Sequence, residues 1–109
     1  MLTLTPGFEI YDIPGLTQHH IPMGDLPTRA EVKQAIDIIA AHLAQSDRVW
    51  VHCQKGLDRT GCVIGAYLVS SGIAPDRAVA LLLERFPPVR RHPRMIQLWR
   101  PFEQLIRSF

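Results

Sequence analysis

Residues 48–61 read RVWVHCQKGLDRTG, and this stretch decides how the chain folds. Its beginning, the short apolar run at residues 48–51, predicts a buried strand, and the apolar run at residues 62–69 predicts a buried helix. The residues between them form a loop that begins at Cys53 and ends at Arg59. A loop in this position can turn backbone N–H groups inward, and the start of the helix adds partial positive charge. The sequence therefore predicts an anion-binding site.

Two side chains suggest what this anion site binds and how it reacts. Arg59 carries a planar guanidinium that can bind two phosphate oxygens at once. Cys53 lies at the floor of the loop, where the same positive field favours the thiolate over the thiol. A buried structural cysteine beside a surface arginine is the alternative interpretation.

The pattern His-Cys-x5-Arg-Thr-Gly, from His52 to Gly61, resembles the signature of the protein tyrosine phosphatase superfamily. Within it, the chain is most similar to the dual-specificity phosphatases and their small bacterial and archaeal relatives. The resemblance runs from Leu2 to the last predicted helix. It implies an α/β fold in which a small central parallel sheet is flanked by helices. Relatives carry further N-terminal strands beside the strand that ends at the cysteine. This chain lacks them, so we expect a minimal fold with residues 48–51 at a sheet edge.

The resemblance implies a role for each residue of the motif. Cys53 is the nucleophile, and Arg59 binds the transferring phosphoryl group. His52 orders the loop and helps to set the thiolate. Thr60 stabilises the sulfur as a leaving group, with a helix N-cap as the alternative role of its hydroxyl. The remaining loop residues contribute mainly backbone amides to the phosphate, together with Arg59: Gln54, Lys55, Gly56, Leu57 and Asp58.

A general acid is also expected, because the leaving oxygen needs a proton. Relatives supply it from an aspartate on a loop some 30 residues before the cysteine. Asp25 lies 28 residues before Cys53, within the segment IPMGDLPT. Asp12 is the rival candidate, but it lies in a different connection.

Composition narrows the class of protein further. With 109 residues, the chain is expected to form one domain over residues 1–109. A net charge of +2 does not indicate nucleic-acid binding, and no apolar run approaches the ~20 residues of a membrane span.

Of the two cysteines, Cys62 is interpreted as a buried packing residue, with a redox partnership to Cys53 as the alternative. A catalytic thiolate fits a reducing cytoplasm. The histidines show no metal spacing, so we expect no metal and no cofactor.

The remaining sequence predicts the elements around this loop. Strands are expected near residues 1–4 and 16–22, with a helical turn at residues 8–13. Thr28 and Glu31 form a capping-box pattern that begins a helix over residues 29–45. Further helices are predicted over residues 60–71, 75–86 and 93–107, and Gly72 ends the first of these. Gly56 and Gly61 are expected to permit backbone angles and close approaches that a Cβ would block.

Three functions are consistent with these residues. The first is a phosphomonoester hydrolase that uses a cysteinyl-phosphate on phosphotyrosine, with phosphoserine and phosphothreonine as further substrates. The second is an inositol phosphate, inositol pyrophosphate or phosphoinositide phosphatase, for which Lys55 and the arginines of the last quarter would suit a polyanion. The third is a non-catalytic phosphate-binding pseudophosphatase. The expected partner is a phosphorylated protein or small molecule, and a partner protein or second copy is expected over the open sheet edge.

Overall fold

The computed structural model describes residues 1–4, 14–24, 26–53, 59–85 and 93–109, with side chains of the last range described from residue 99. The predicted turn at residues 8–13 lies outside these ranges. Within them the chain forms the following strands and helices in order: β1 (Leu2–Thr3), β2 (His19–His20), α1 (Arg29–Ala44), β3 (Val51–His52), α2 (Arg59–Ser70), α3 (Pro75–Arg85) and α4 (Pro93–Arg107).

The three strands form a parallel sheet in the order β2-β1-β3. This confirms the prediction of a small parallel sheet flanked by helices. Each strand is shorter than predicted, and the third begins at Val51 rather than at residue 48. Pairing starts where Leu2 N–H donates to Trp50 O, because the partner strand β1 itself begins at Leu2.

β3 lies at an edge of this sheet. Among the described strands it pairs only with β1, as predicted. In a parallel pair, the residues that bond the neighbouring strand alternate with residues whose backbone groups face away. Trp50 and His52 accept bonds from β1 through their carbonyls, so the backbone of Val51 between them faces the open side.

α2 is the central helix, because it packs against each of the other three helices. One core cluster joins α2 to the other three helices through Val32, Ala66, Leu82, Phe102 and Ile106. A second cluster packs the sheet on α1 and α2 and includes Leu2, Leu4, Ile21, Ala35 and Val63. The strand end that leads to Cys53 is therefore held between a buried strand and a buried helix.

Helix ends agree closely with the sequence signals. The capping box at α1 is present, since Glu31 N–H donates to Thr28 Oγ1 at 3.2 Å and Thr28 N–H donates to Glu31 Oε1 at 2.8 Å. Gly72, with φ of 102°, follows the end of α2 as predicted.

The expectation about Gly61 is wrong. A Cβ there would meet Leu82 Cδ1 at 3.4 Å, which is ordinary contact, and its φ is not positive. The close approach occurs one turn later at Gly65, where a Cβ would lie 3.0 Å from Ile106 Cδ1. α2 and α4 cross at this point, which the sequence does not show.

Candidate active site

The site lies at the carboxyl ends of β1 and β3. In open parallel sheets, ligands bind beyond the carboxyl ends of the strands, where loops and helix N-termini converge. Cys53 follows β3 directly, and α2 begins at Arg59. The loop residues 54–58, predicted to bind phosphate, lie outside the described residues. The strand end and the helix start on either side of them are both described.

Cys53 and Thr60 meet across this loop. Thr60 Oγ1 donates to Cys53 Sγ at 3.2 Å. Thr60 is 7% exposed, and Cys53 is partly buried. Of the two roles considered for the Thr60 hydroxyl, the observed bond goes to the sulfur. A hydroxyl donor in this position stabilises negative charge on sulfur.

Arg59 is anchored to the segment that precedes α1. Its Nε donates to the backbone carbonyl of Gly24 at 3.1 Å. This bond restrains the plane of the guanidinium, whose terminal nitrogens form the fork expected to bind oxyanions.

The same bond places the residue before the candidate acid beside Arg59. Gly24 directly precedes Asp25, and the two residues lie in the connection between β2 and α1. Asp25 and its rival Asp12 are outside the described residues. The structure therefore brings the neighbour of Asp25 to Arg59.

His52 has a partner that sequence reasoning missed. Its Nε2 lies 2.9 Å from Thr3 Oγ1, and the two residues are paired in register across β1 and β3. Thr3 is 2% exposed. The signal was present in the sequence, since a hydroxyl interrupts an otherwise apolar strand, Met1 to Leu4.

Cys62 is a packing residue, as the first interpretation held. It is 2% exposed, and burial raises the pKa of its thiol to about 12. It belongs to the core cluster with Ala66 and Phe102. Both cysteines are thiols rather than a disulfide. A neutral, enclosed thiol is a poor nucleophile, so Cys53 is the better placed of the two for reaction.

A separate cavity of about 230 Å³ opens at the opposite end of the sheet. Leu2 and Val49 line it, together with a hydrogen-bonded chain in which His42 contacts both His19, at 2.9 Å, and Asp47, at 2.8 Å. Burial lowers the pKa of His19, and the neighbouring His42 lowers it further. Cys53 does not line this cavity, so it is distinct from the proposed phosphate site.

The described residues offer neither a metal-binding cluster nor a membrane-spanning helix. No group of three or more histidine, cysteine, aspartate or glutamate side chains there could hold a metal ion. Of the helices described, none is long and apolar enough to cross a membrane.

A thiol at the end of a parallel strand, a threonine hydroxyl on that sulfur and an arginine at the start of the next helix form the arrangement that the phosphatase signature at residues 52–61 implies. Comparison with known families agrees. Residues 6–73 match the model of a family described as "Polymorphic toxin system, DSP-PTPase phosphatase". The match covers more than half of the chain, and the chain belongs to this dual-specificity-like phosphatase family.

Individual relatives support the same assignment. The chain is 32% identical over 82 residues to the tyrosine-protein phosphatase CDC14 of Candida albicans, covering 68% of this chain and 15% of that protein. It is 44% identical over 46 residues to the CDC14 homolog of Schizosaccharomyces pombe, covering 42% of this chain and 8% of that protein. The chain thus spans less than a sixth of the length of these curated relatives.

A solved structure shares the fold. The crystal structure of a mutant form of Tk-PTP superposes with a TM-score of 0.71 at 22% identity. The superposition covers 99% of this chain and 78% of that one. The arrangement of sheet and helices is therefore that of the Tk-PTP structure.

Proposed function

We propose that the chain hydrolyses phosphomonoesters through a cysteinyl-phosphate on Cys53, with phosphotyrosine as the principal substrate class. The bond from Thr60 Oγ1 to Cys53 Sγ carries this proposal. It places a proton donor on the sulfur at the carboxyl end of β3, where a helix begins. Phosphoserine and phosphothreonine are the further substrates to test.

In the first step, the Cys53 thiolate attacks phosphorus in line with the leaving oxygen. The sulfur–phosphorus bond forms while the bond to the leaving oxygen breaks, and Asp25 donates a proton to that oxygen. Arg59 and the backbone amides of residues 54–58 hold the non-bridging oxygens. The guanidinium and helix N-terminus supply the positive charge, so the proposed chemistry uses no metal and no cofactor.

In the second step, water attacks phosphorus and the sulfur leaves as a thiolate. The Asp25 carboxylate accepts the proton from the water, which restores the acid for the next cycle. The Thr60 hydroxyl donates to the departing sulfur and stabilises its charge.

Direct trapping of the intermediate tests this proposal. The wild-type chain would be mixed with an aryl phosphate, quenched in acid within milliseconds to seconds, and analysed by peptide mass spectrometry. We expect a phosphate on the peptide that contains Cys53 and none on the peptide that contains Cys62. Hydrolysis without any phosphorylated Cys53 would overturn the proposed mechanism, and an absence of both binding and hydrolysis would overturn the function.

Replacement of Thr60 by valine is expected to slow the second step more than the first. A hydrogen bond to a charged group contributes about 1.5–3 kcal/mol, so breakdown of the intermediate should slow by about tenfold to a hundredfold. Rapid-mixing kinetics would show a larger burst of product followed by a slower steady rate. Thr60→Ser should restore the wild-type rate, and an unchanged steady rate in Thr60→Val would contradict this role.

Replacement of Asp25 by asparagine is expected to affect substrates according to their leaving groups. Loss of a general acid typically costs about 10²–10⁴-fold. In kcat/KM, which reports the first step, we expect that loss for phosphoserine and alkyl phosphates, and a much smaller one for a nitrophenyl phosphate, whose leaving group needs no proton.

Two variants control for this result. Asp12→Asn tests the rival acid, and Asp37→Asn removes an exposed carboxylate that pairs with Lys33 on α1. Rates for Asp25→Asn that equal the wild-type rates on every substrate would show that Asp25 is not the acid.

One arginine of the last quarter is already bound by carboxylates and gives little support to a polyanionic substrate. Arg107, from the arginine-rich last quarter, is bound by Asp76 at 2.7 Å and by Glu103 at 3.0 Å. A panel that compares a phosphotyrosyl peptide with an inositol phosphate and an inositol pyrophosphate separates the two substrate classes. Faster turnover of the inositol compounds would replace the principal substrate class while leaving the role of Cys53 intact.

Two further expectations stay predictions. The open side of β3 is expected to bind a strand from a partner protein or a second copy, and light scattering measures the second case directly. A cytoplasmic location is expected because a reactive thiolate survives best where thiols are kept reduced. Localisation of a tagged chain tests it.

A further inference from the structure

Thr3 places a hydroxyl at the centre of the sheet. It is 2% exposed, and its neighbours Leu2 and Leu4 are both 0% exposed. Buried strands of parallel sheets are usually continuous runs of apolar residues. Valine has nearly the same shape as threonine and avoids the cost of burying a hydroxyl. A threonine here therefore points to a partner that needs the hydroxyl.

That partner is His52. Thr3 Oγ1 and His52 Nε2 lie 2.9 Å apart, and the register of β1 and β3 pairs the two residues directly. Successive side chains of a strand point to opposite faces of the sheet. Cys53 consequently projects toward the other face, where it packs against the core cluster that includes Leu2 and Val63. Thr3 thus holds the residue next to the nucleophile without touching the sulfur.

We propose that Thr3 is a positioning residue, whose hydroxyl holds the His52 ring so that the end of β3 presents Cys53 to the Thr60 hydroxyl. This inference rests on the proposed function of Cys53. A hydroxyl can donate to a bare ring nitrogen or accept from a ring N–H, so it holds the imidazole in either protonation state. Valine can do neither.

The reactivity of Cys53 as a function of pH tests this inference. The full chain would be alkylated with iodoacetamide from about pH 5 to about pH 9, because only the thiolate reacts. Cys62 will contribute little, since it is buried with a pKa of about 12. Cys53→Ser supplies the background. Among the described residues, His52 and Arg59 are the charged or titratable groups that flank Cys53 in the motif.

Thr3→Val is expected to move the midpoint of alkylation upward by about one pH unit, which lowers the rate about tenfold on the acid side. Thr3→Ser keeps the hydroxyl and should restore the wild-type profile. In a His52→Ala background, Thr3→Val should have no further effect, because the two residues act as one unit. This coupling distinguishes action through His52 from a general loss of packing.

Ile106→Val is the matched control, since it shortens a fully buried side chain in the other core cluster. It should lower the urea midpoint and leave the alkylation profile unchanged. If Thr3→Val does not fold, Thr3→Ala carries the same prediction.

A wild-type profile in Thr3→Val, or an equal effect with and without His52, would show that Thr3 only packs. Failure of the proposed function would give a different alkylation profile. In that case the wild-type Cys53 itself reacts like an ordinary thiol, with a midpoint near ~8.5.

Discussion

Cys53→Ser is expected to lower kcat for an aryl phosphate by about five orders of magnitude, to the background of the assay. The physical reason is that a serine hydroxyl stays protonated in a field that would ionise a thiol, so it cannot attack phosphorus. The exchange of sulfur for oxygen is small, and Cys53 lies at a partly exposed position. We therefore expect Cys53→Ser to fold and still to bind inorganic phosphate.

A second cysteine in the same chain provides the control. Cys62→Ala removes a buried sulfur from the helix core without touching the proposed site. Its urea midpoint should fall, while kcat/KM of the folded protein should equal that of the wild type. Steady-state kinetics at matched protein concentrations give kcat and kcat/KM for Cys53→Ser and Cys62→Ala. Activity that survives in Cys53→Ser would mean that another residue is the nucleophile. The absence of activity in the wild type would favour the pseudophosphatase alternative.

Arg59→Lys is expected to lower kcat/KM about a thousandfold, although the charge is kept. Positioned arginines in phosphoryl transfer contribute about 10³–10⁵ to the rate, because the planar fork binds two oxygens of the transition state. In this chain, Arg59→Lys also removes a hydrogen bond to the backbone. Lysine has no Nε–H to donate to the Gly24 carbonyl, so the segment that leads to Asp25 loses its observed anchor.

The two proposed roles of Arg59, binding phosphoryl oxygens and anchoring the segment before Asp25, can be tested together with a double mutant. If Arg59 also positions the Asp25 segment, the effects of Arg59→Lys and Asp25→Asn on an alkyl phosphate should be less than additive. Arg107→Lys is the matched control, since Arg107 is bound by Asp76 and Glu103 at the surface of α3 and α4. It should retain wild-type kinetics. Full additivity of the first two variants would separate Arg59 from the acid segment.

Several features followed directly from local sequence signals. The capping pattern at Thr28 and Glu31 began α1 where predicted, and α4 has the predicted bounds. Such signals depend on contacts within one turn of helix, so a single stretch of sequence contains both partners.

The strands were less predictable. β2 and β3 are two residues long, whereas longer strands were expected at residues 16–22 and 48–51. Strand length depends on which neighbour supplies hydrogen bonds, and that neighbour lies far away in sequence. The same reason explains the error at Gly61: the close helix crossing falls at Gly65, where Ile106 of α4 packs on α2.

By itself, the sequence determined which groups are proposed to react. Cys53, Arg59 and Thr60 lie within one short motif, and the chemistry of thiolate, guanidinium and hydroxyl is a property of the residue types in that spacing. It also determined a parallel α/β fold, because a strand, a loop and a helix follow one another in the motif.

Only the tertiary structure decided which distant residues support those groups. Thr3 reaches His52 across 49 positions of the chain, and Gly24 reaches Arg59 across 35. Both contacts depend on how β1, β3 and the start of α2 are placed side by side. The packing of the whole core sets that placement, and no local pattern in the sequence predicts it.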